Sequence, residues 1–135
     1  YFSLTKYDSA GYYLNKADSI FQELGLNYYE NRLSTLSWLA IMSAKNGQNE
    51  RTQNYVKFYD EINTDFDPKS DDVISLNWNM HQVHELTGDK NSAKEYLENS
   101  YLEIKSRSKN IKNKADRNQY LSIKLHQDIT AVWNK

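Results

Sequence analysis

Hydrophobic residues recur at steps of three and four along most of the chain. They form stripes of Ala10, Leu14, Ala17, Ile20, Phe21 and Leu24; of Leu33, Leu36, Leu39 and Ala40; of Ala93, Leu97, Tyr101 and Ile104; and of Leu121, Leu125, Ile129 and Val132. This spacing places the apolar side chains on one side of a helix. The pattern predicts amphipathic helices over residues 4–24, 28–45, 49–62, 71–86, 90–107 and 114–133.

Turn-forming residues fall between these stripes. Gly25 is predicted to end the first helix, and Gly47 and Gly88 each lie in a short turn between two helices. Asp89 is a favourable N-cap for the helix that follows it. Residues 63–70 form the clearest loop, with Ser70 as the expected cap of the next helix. The whole chain has 4 Gly and 1 Pro, which argues against an all-β fold.

The two turn glycines lie at equivalent places in an internal repeat of 41 residues. Each is followed by a helix with a small or polar residue, a larger apolar residue and a third packing residue at matching positions. These are Thr52, Val56 and Tyr59 after the first glycine, and Ala93, Leu97 and Ser100 after the second, with Ala10, Leu14 and Ala17 in the first helix. A small residue lets two helices approach closely, while the large one fills the groove between them. The spacing predicts stacked helix pairs.

The segment Gly88-Asp89 with Ala93, Leu97 and Ser100 resembles the second-helix half of a tetratricopeptide repeat. The family's first-helix signature of Trp, Leu, Gly and Tyr is replaced by Leu36, Leu39, Ala40 and Ser43, and then by Asn77, Met80, His81 and His84. The resemblance implies an all-α fold of about six helices, with antiparallel helix pairs stacked as a short right-handed superhelix, or α-solenoid. It implies one domain over residues 1–135. Its parts are the second helix of a truncated repeat (1–25), two repeats (28–62 and 71–107) and a capping helix (114–133).

The segment from Trp78 to Trp133 also resembles the C-terminal tail of large bacterial signalling proteins. The similar residues include the run His84-Glu85-Leu86-Thr87-Gly88-Asp89, the pairs Tyr96-Leu97 and Tyr101-Leu102, and Arg117, Tyr120, His126 and Trp133. In those proteins an ATPase or nucleotide-cyclase region precedes a tetratricopeptide array. The resemblance implies that this chain is the C-terminal, non-catalytic part of a larger regulator.

Composition narrows the classes of function. Net charge is −1, which gives no global attraction to nucleic acid or to an anionic membrane. The absence of cysteine excludes disulfides and thiolate metal sites. No nucleotide-binding glycine loop or nucleophile motif occurs, so we expect no cofactor and no enzyme activity. A cytoplasmic location is expected, and the oligomeric state stays open.

Three groups of residues could carry chemistry, and each also has a simpler structural interpretation. His81, His84 and Glu85 could begin a metal site, but their positions favour helix packing. The acidic residues around Asp65 and Asp67 lack the glycine and the closing Glu of a calcium loop. Six basic residues and one acidic residue between Lys105 and Arg117 could contact phosphates, although a solvated helix junction explains them better.

The resemblance also implies a groove lined by the first helices of successive pairs, formed by Ser34, Ser37, Ile41, Ala44 and Lys45 in one repeat and by Ser75, Trp78, Gln82 and Glu85 in the next. With one lysine and no Arg or Asn, these positions do not suit a clamp for a peptide carboxylate. A protein or peptide partner of apolar or mixed character is expected, with Trp78 as its anchor. The alternatives are a structural cap or spacer that binds nothing, and a sensor of a small ligand that controls an upstream enzyme.

Overall fold

The computed structural model describes residue 16, residues 29–63 and residues 73–135. Within that part of the chain six helices occur and no strand, which confirms the all-α prediction. They are α1 (Tyr29–Lys45), α2 (Asn49–Asn63), α3 (Val73–Thr87), α4 (Lys90–Lys109), α5 (Lys114–Leu121) and α6 (Lys124–Trp133). The bounds predicted for α1 to α4 are correct to within two residues. Gly25, Ser70 and nearly all of the helix predicted over 4–24 lie outside the described residues.

Both predicted glycine turns are present. Gly47 has φ 70° and Gly88 has φ 89°, in the left-handed region that glycine enters without steric cost. After the second turn, Asp89 caps α4 as predicted, because its carboxylate accepts a hydrogen bond from the Ser92 backbone N–H at 3.1 Å. The two turns therefore join α1 to α2 and α3 to α4 within a few residues.

Each turn brings two helices into contact along their buried faces. α1 packs on α2, α3 packs on α4, and α1 also packs against α3. The residues of the repeat lie at these contacts: Thr52, Ala93 and Ser100 are fully buried, and Val56, Tyr59 and Leu97 are buried too. The small residues permit close approach, as the repeat predicts. The superhelical stacking of the pairs stays a prediction.

Two apolar clusters hold the helices together, and α3 contributes to both. The first cluster joins α1, α2 and α3 through Leu33, Leu36, Ala40, Ile41, Val56, Tyr59, Leu76, Met80 and Val83. The second joins α3, α4 and α6 through Ile74, Leu97, Ile104 and Ile129. Partly buried aromatic residues surround the second cluster, among them Trp78, Tyr101 and Trp133. The C-terminal helices therefore cover the face of α3 and α4 that the first cluster leaves open.

The prediction of a single helix over residues 114–133 is wrong, because the helical conformation is interrupted between α5 and α6. Ile123 has φ −56° and ψ 132°, an extended conformation that a continuous helix cannot contain. His126 stabilises the break, since its Nδ1–H donates to the Tyr120 carbonyl oxygen at 2.8 Å and thereby satisfies a group at the end of α5. The break also leaves Leu121 exposed, so that residue of the predicted stripe lies outside the core.

Candidate functional site

The predicted groove is not one open surface, because two of its residues belong to the core. The side chains of Ser37 and Ile41 are 0% and 2% exposed. Ser37 Oγ accepts a hydrogen bond from Asn79 Nδ2 at 3.1 Å, which ties α1 to α3, and Ile41 is part of the first apolar cluster. The close packing of α1 on α3 therefore removes both residues from any partner's reach, and their predicted place in the groove is corrected.

The other predicted groove residues keep some exposure but differ in their surroundings. Lys45 is exposed at the end of α1, while Gln82 is half-buried on α3; Ser34, Ala44 and Ser75 are also half-buried. Trp78 is half-buried and stacks on the His81 ring with centroids 5.2 Å apart. Because Trp78 also packs against the second cluster, it is mainly a packing residue rather than a bare anchor.

An open cleft of about 630 Å³ lies between α3, α4 and the end of the chain. Its lining consists of His81 and Glu85 from α3, Lys94 and Leu97 from α4, and Val132, Trp133 and Lys135 from α6 and the residues after it. His81 and Leu97 are buried, Val132 and Trp133 are half-buried, and the three charged residues are exposed. The cleft thus has an apolar floor and a charged rim, the composition that binding clefts commonly have.

The docking of α6 creates this cleft. Ile129 is fully buried in the second cluster, and the residues three and four positions further on, Val132 and Trp133, lie on the same side of the helix. Trp133 stacks on Tyr101 of α4, with ring centroids 5.2 Å apart and an interplanar angle of 20°. These contacts fix the indole at the cleft wall, where only part of it is covered.

Among the described residues that line the cleft, the charged side chains at the rim are two lysines and one glutamate. The glutamate, Glu85, already accepts a hydrogen bond from Lys90 Nζ at 2.7 Å, and that hydrogen bond is the main reason why the pKa of Glu85 is lowered. Among the described residues, neither Lys94 nor Lys135 has an acidic side chain within ion-pair distance. The two lysines are therefore available to an incoming anionic group.

The two histidines of α3 are held by contacts with α4. His81 Nδ1–H donates to the Ala93 carbonyl oxygen at 2.8 Å, since a carbonyl can only accept. His84 stacks on Tyr96 at 5.4 Å between centroids, and burial lowers the pKa of this imidazole. Within residues 29–63 and 73–135, no group of three His, Asp or Glu side chains is arranged to hold a metal ion.

The basic stretch from Lys105 to Arg117 supplies internal contacts at the junction of α4 and α5. Arg107 Nε donates to Glu103 Oε1 at 2.8 Å, one turn earlier in α4. The Arg117 guanidinium donates to the Ile111 carbonyl oxygen through Nε at 3.1 Å and through Nη2 at 3.0 Å. Both arginines therefore make intramolecular hydrogen bonds. No aromatic residue lies between the remaining lysines of this stretch, so the sequence offers no side chain for stacking on nucleic-acid bases.

A second cavity, of about 510 Å³, lies where α2, α3 and α4 meet. It is lined by Tyr59, Asn63, Val73, Leu76, Asn77, Asn99, Leu102, Glu103 and Ser106. Its polar groups are partly engaged within the protein, since Asn77 Nδ2 donates to the Val73 carbonyl oxygen at 2.9 Å and Glu103 pairs with Arg107. The cleft beside α6 combines apolar wall and available charge more clearly, and it is the better candidate site.

Glu85 is the one residue of the predicted groove that also lines the cleft; His81 was considered only as a metal ligand, and the other lining residues were not predicted as site residues. The omission has a physical cause: α6 reaches α3 and α4 through long-range packing, which helical periodicity does not report. The abundance of lysine in the chain gave no reason to single out Lys94. The available indication was Trp133, a large aromatic residue directly after the last position of an amphipathic stripe.

Comparisons of this chain with protein-family models, curated proteins and solved structures find no match. The tetratricopeptide assignment therefore stays a prediction from the residues that carry the resemblance. No helix in the described part of the chain has the length and apolar character that crossing a membrane requires.

Proposed function

We propose that this chain is a non-catalytic protein-interaction module, and that it binds a peptide segment of a partner in the cleft between α3, α4 and α6. The observation that carries the proposal is the half-buried apolar wall of Val132 and Trp133 beside two lysines that have no acidic side chain within ion-pair distance among the described residues. Aromatic side chains of this kind dominate the energetics of protein interfaces. The tetratricopeptide resemblance supports the same class of function, as part of a larger bacterial regulator.

The cleft favours this proposal over its two alternatives. A cap or spacer that binds nothing does not require the partly exposed Trp133 indole or the two lysines that lie beside it. A sensor of a small ligand would need an enclosed pocket, whereas Glu85, Lys94 and Lys135 leave the rim of this cleft open to solvent. An open cleft of this size suits a few side chains of an extended or helical peptide.

The proposal can be tested by blocking the cleft chemically, since the chain contains no cysteine. A Lys94→Cys variant offers a single site for a bulky maleimide at the rim, and Lys109→Cys offers a matched exposed site on the same helix, away from the cleft. Peptides would first be selected from a random displayed library against the unmodified chain. Their affinities would then be measured by fluorescence anisotropy before and after labelling of each variant.

We expect the label on the Lys94→Cys variant to weaken the selected peptides by at least about ten-fold, because it fills the cleft. The label on the Lys109→Cys variant should change affinity less than about two-fold. Two results would contradict the proposal. One is that the library yields no specific peptide; the other is that peptides bind equally well when the Lys94→Cys variant is labelled.

A further inference from the structure

We infer that the partner segment recognised by the cleft is acidic and carries at least one large apolar side chain. The inference rests on the proposed function and adds the chemistry of the ligand. It depends on three features of the lining: which charges are already paired, where the cationic groups lie relative to the apolar wall, and how much of that wall is covered.

The first feature is that the acidic side chain at the rim is paired within the described part of the chain, whereas the two lysines are not. Glu85 is the only acidic side chain among the described residues that line the cleft, and Lys90, which lies outside the lining, pairs with it at 2.7 Å. Lys94 and Lys135 have no such partner among the described residues. A cationic ligand would meet two like charges and a carboxylate that is already engaged, whereas an anionic ligand would meet two available ammonium groups.

The second feature is that the two lysines come from different elements. Lys94 lies in the second turn of α4, and Lys135 follows the end of α6. Both line the same cleft, with Leu97, Val132 and Trp133 also in its lining. A peptide lying in the cleft can therefore place apolar side chains against the wall while its acidic residues reach either lysine. A lysine pairs with a carboxylate as a flexible point charge, so the arrangement does not demand one fixed geometry.

The third feature is the half-buried state of the wall. Trp133 keeps one face on Tyr101, and Trp133 and Val132 both pack against the second cluster, so only part of each side chain is left uncovered by the described residues. Covering that surface with an apolar side chain gives the hydrophobic part of the binding energy, while the charges select the partner. Acidic character alone would leave the wall exposed, and apolar character alone would leave the lysines without a partner.

The test uses three labelled peptides that share the same Leu and Phe residues. The residues between these are Asp and Glu in the acidic peptide, Lys in the basic peptide, and Ser and Gln in the neutral peptide. Affinities for the full chain are measured by fluorescence anisotropy at low and high salt. The double variant Lys94→Glu/Lys135→Glu is compared with Lys109→Glu/Lys112→Glu. The control changes the net charge by the same amount at exposed lysines outside the cleft lining.

We expect the acidic peptide to bind about ten-fold more tightly than the neutral one at low salt, with a smaller difference at high salt. The cleft variant should lose about ten-fold in affinity for the acidic peptide and gain affinity for the basic one, while the control variant stays within about two-fold. A further arm places the acidic and apolar residues on separate peptides, neither of which should match the combined one.

Failure of this inference can be distinguished from failure of the proposed function. If the neutral peptide binds as tightly as the acidic one, and the label on the Lys94→Cys variant still blocks it, the cleft binds peptides but the inferred charge preference is wrong. If the two double variants weaken the acidic peptide equally, the attraction is due to net charge and the inference is overturned. If the label on the Lys94→Cys variant weakens the binding of none of the peptides, both the proposed function and this inference fail.

Discussion

At the scale of single residues, equivalent positions of the two helix pairs carry side chains of different chemical character. Ser43 and Thr52 face each other across the first pair, with their hydroxyl oxygens 2.6 Å apart. The position equivalent to Ser43 in the second pair is His84, which stacks on Tyr96; the Tyr96 hydroxyl in turn donates to Asp60 of α2 at 3.2 Å. The second pair therefore contains a titratable ring where the first has a neutral hydroxyl.

His84 gives the fold a pH dependence near neutrality. Burial is the main cause that lowers the pKa of His84 below its ordinary value of 6.5, and Asp89, 3.8 Å away, offsets only part of this effect. Because the unfolded chain then binds a proton more readily than the native one, the contribution of His84 to stability is complete above pH 6.5. It is lost as the pH falls toward the native pKa.

We therefore expect the free energy of unfolding to fall between about pH 7.5 and about pH 5.5, and the fall to be smaller in a His84→Gln variant. Urea unfolding at both pH values measures the difference. The lowered pKa values of Glu85 and Asp89 act only at lower pH, where those carboxylates protonate. An Ile123→Ala variant should keep the wild-type fall, and an equal fall in His84→Gln would contradict the assignment to this ring.

At the scale of the helices, the role of α6 is to cover the second pair. Ile129 is fully buried in the second cluster, whereas Ile123, at the start of the same helix, is 48% exposed. We expect Ile129→Ala to lower the free energy of unfolding by about 2–5 kcal/mol, and Ile123→Ala to change it by less than about 0.5 kcal/mol. Chemical denaturation of the two variants makes a matched comparison, since each removes the same atoms. Equal effects would show that the burial of Ile129 against the second helix pair does not stabilise the fold.

The helices also show what local sequence pattern can and cannot determine. Spacing of apolar residues and the two glycine turns were sufficient to predict α1 to α4, because those features act within one or two helical turns. The stripe Leu121, Leu125, Ile129 and Val132 continues through the break at Ile123, so periodicity could not reveal it. The His126 bond to the Tyr120 carbonyl that stabilises the break spans two elements.

The exposure of the predicted groove residues was predicted less well than the helices, for a related reason. The predicted groove with Ser37 and Ile41 requires successive first helices to present a shared open face. In the structure α1 packs against α3 and buries that face, and the hydrogen bond from Asn79 to Ser37 lies within this contact. The cleft that remains open is made by α6, which packs on α4 and shares the second cluster with α3, and these contacts join residues far apart in the sequence.

At the scale of the whole molecule, the described helices differ in how many of their sides are covered by neighbouring helices. α3 packs against α1 and α4 and contributes to both apolar clusters, so its backbone lies at the centre of the described structure. α6 contacts α4 and α5, and the half-buried wall of the cleft lies along it. Local opening is easiest where few buried contacts must be broken.

We therefore expect amide hydrogen exchange to be slowest in α3 and fastest, among the described helices, in α5 and α6. The reason is that α6 can detach by breaking the second cluster alone, whereas exposing α3 requires both clusters to open. Exchange followed by mass spectrometry on the full chain measures this order. Ile129→Ala should accelerate exchange in α4 and α6 more than in α1, because loss of the cap acts on its neighbours first. Equal protection of all the helices would instead indicate one cooperative unit, in which the C-terminal helices are as integral to the fold as the repeats that they cover.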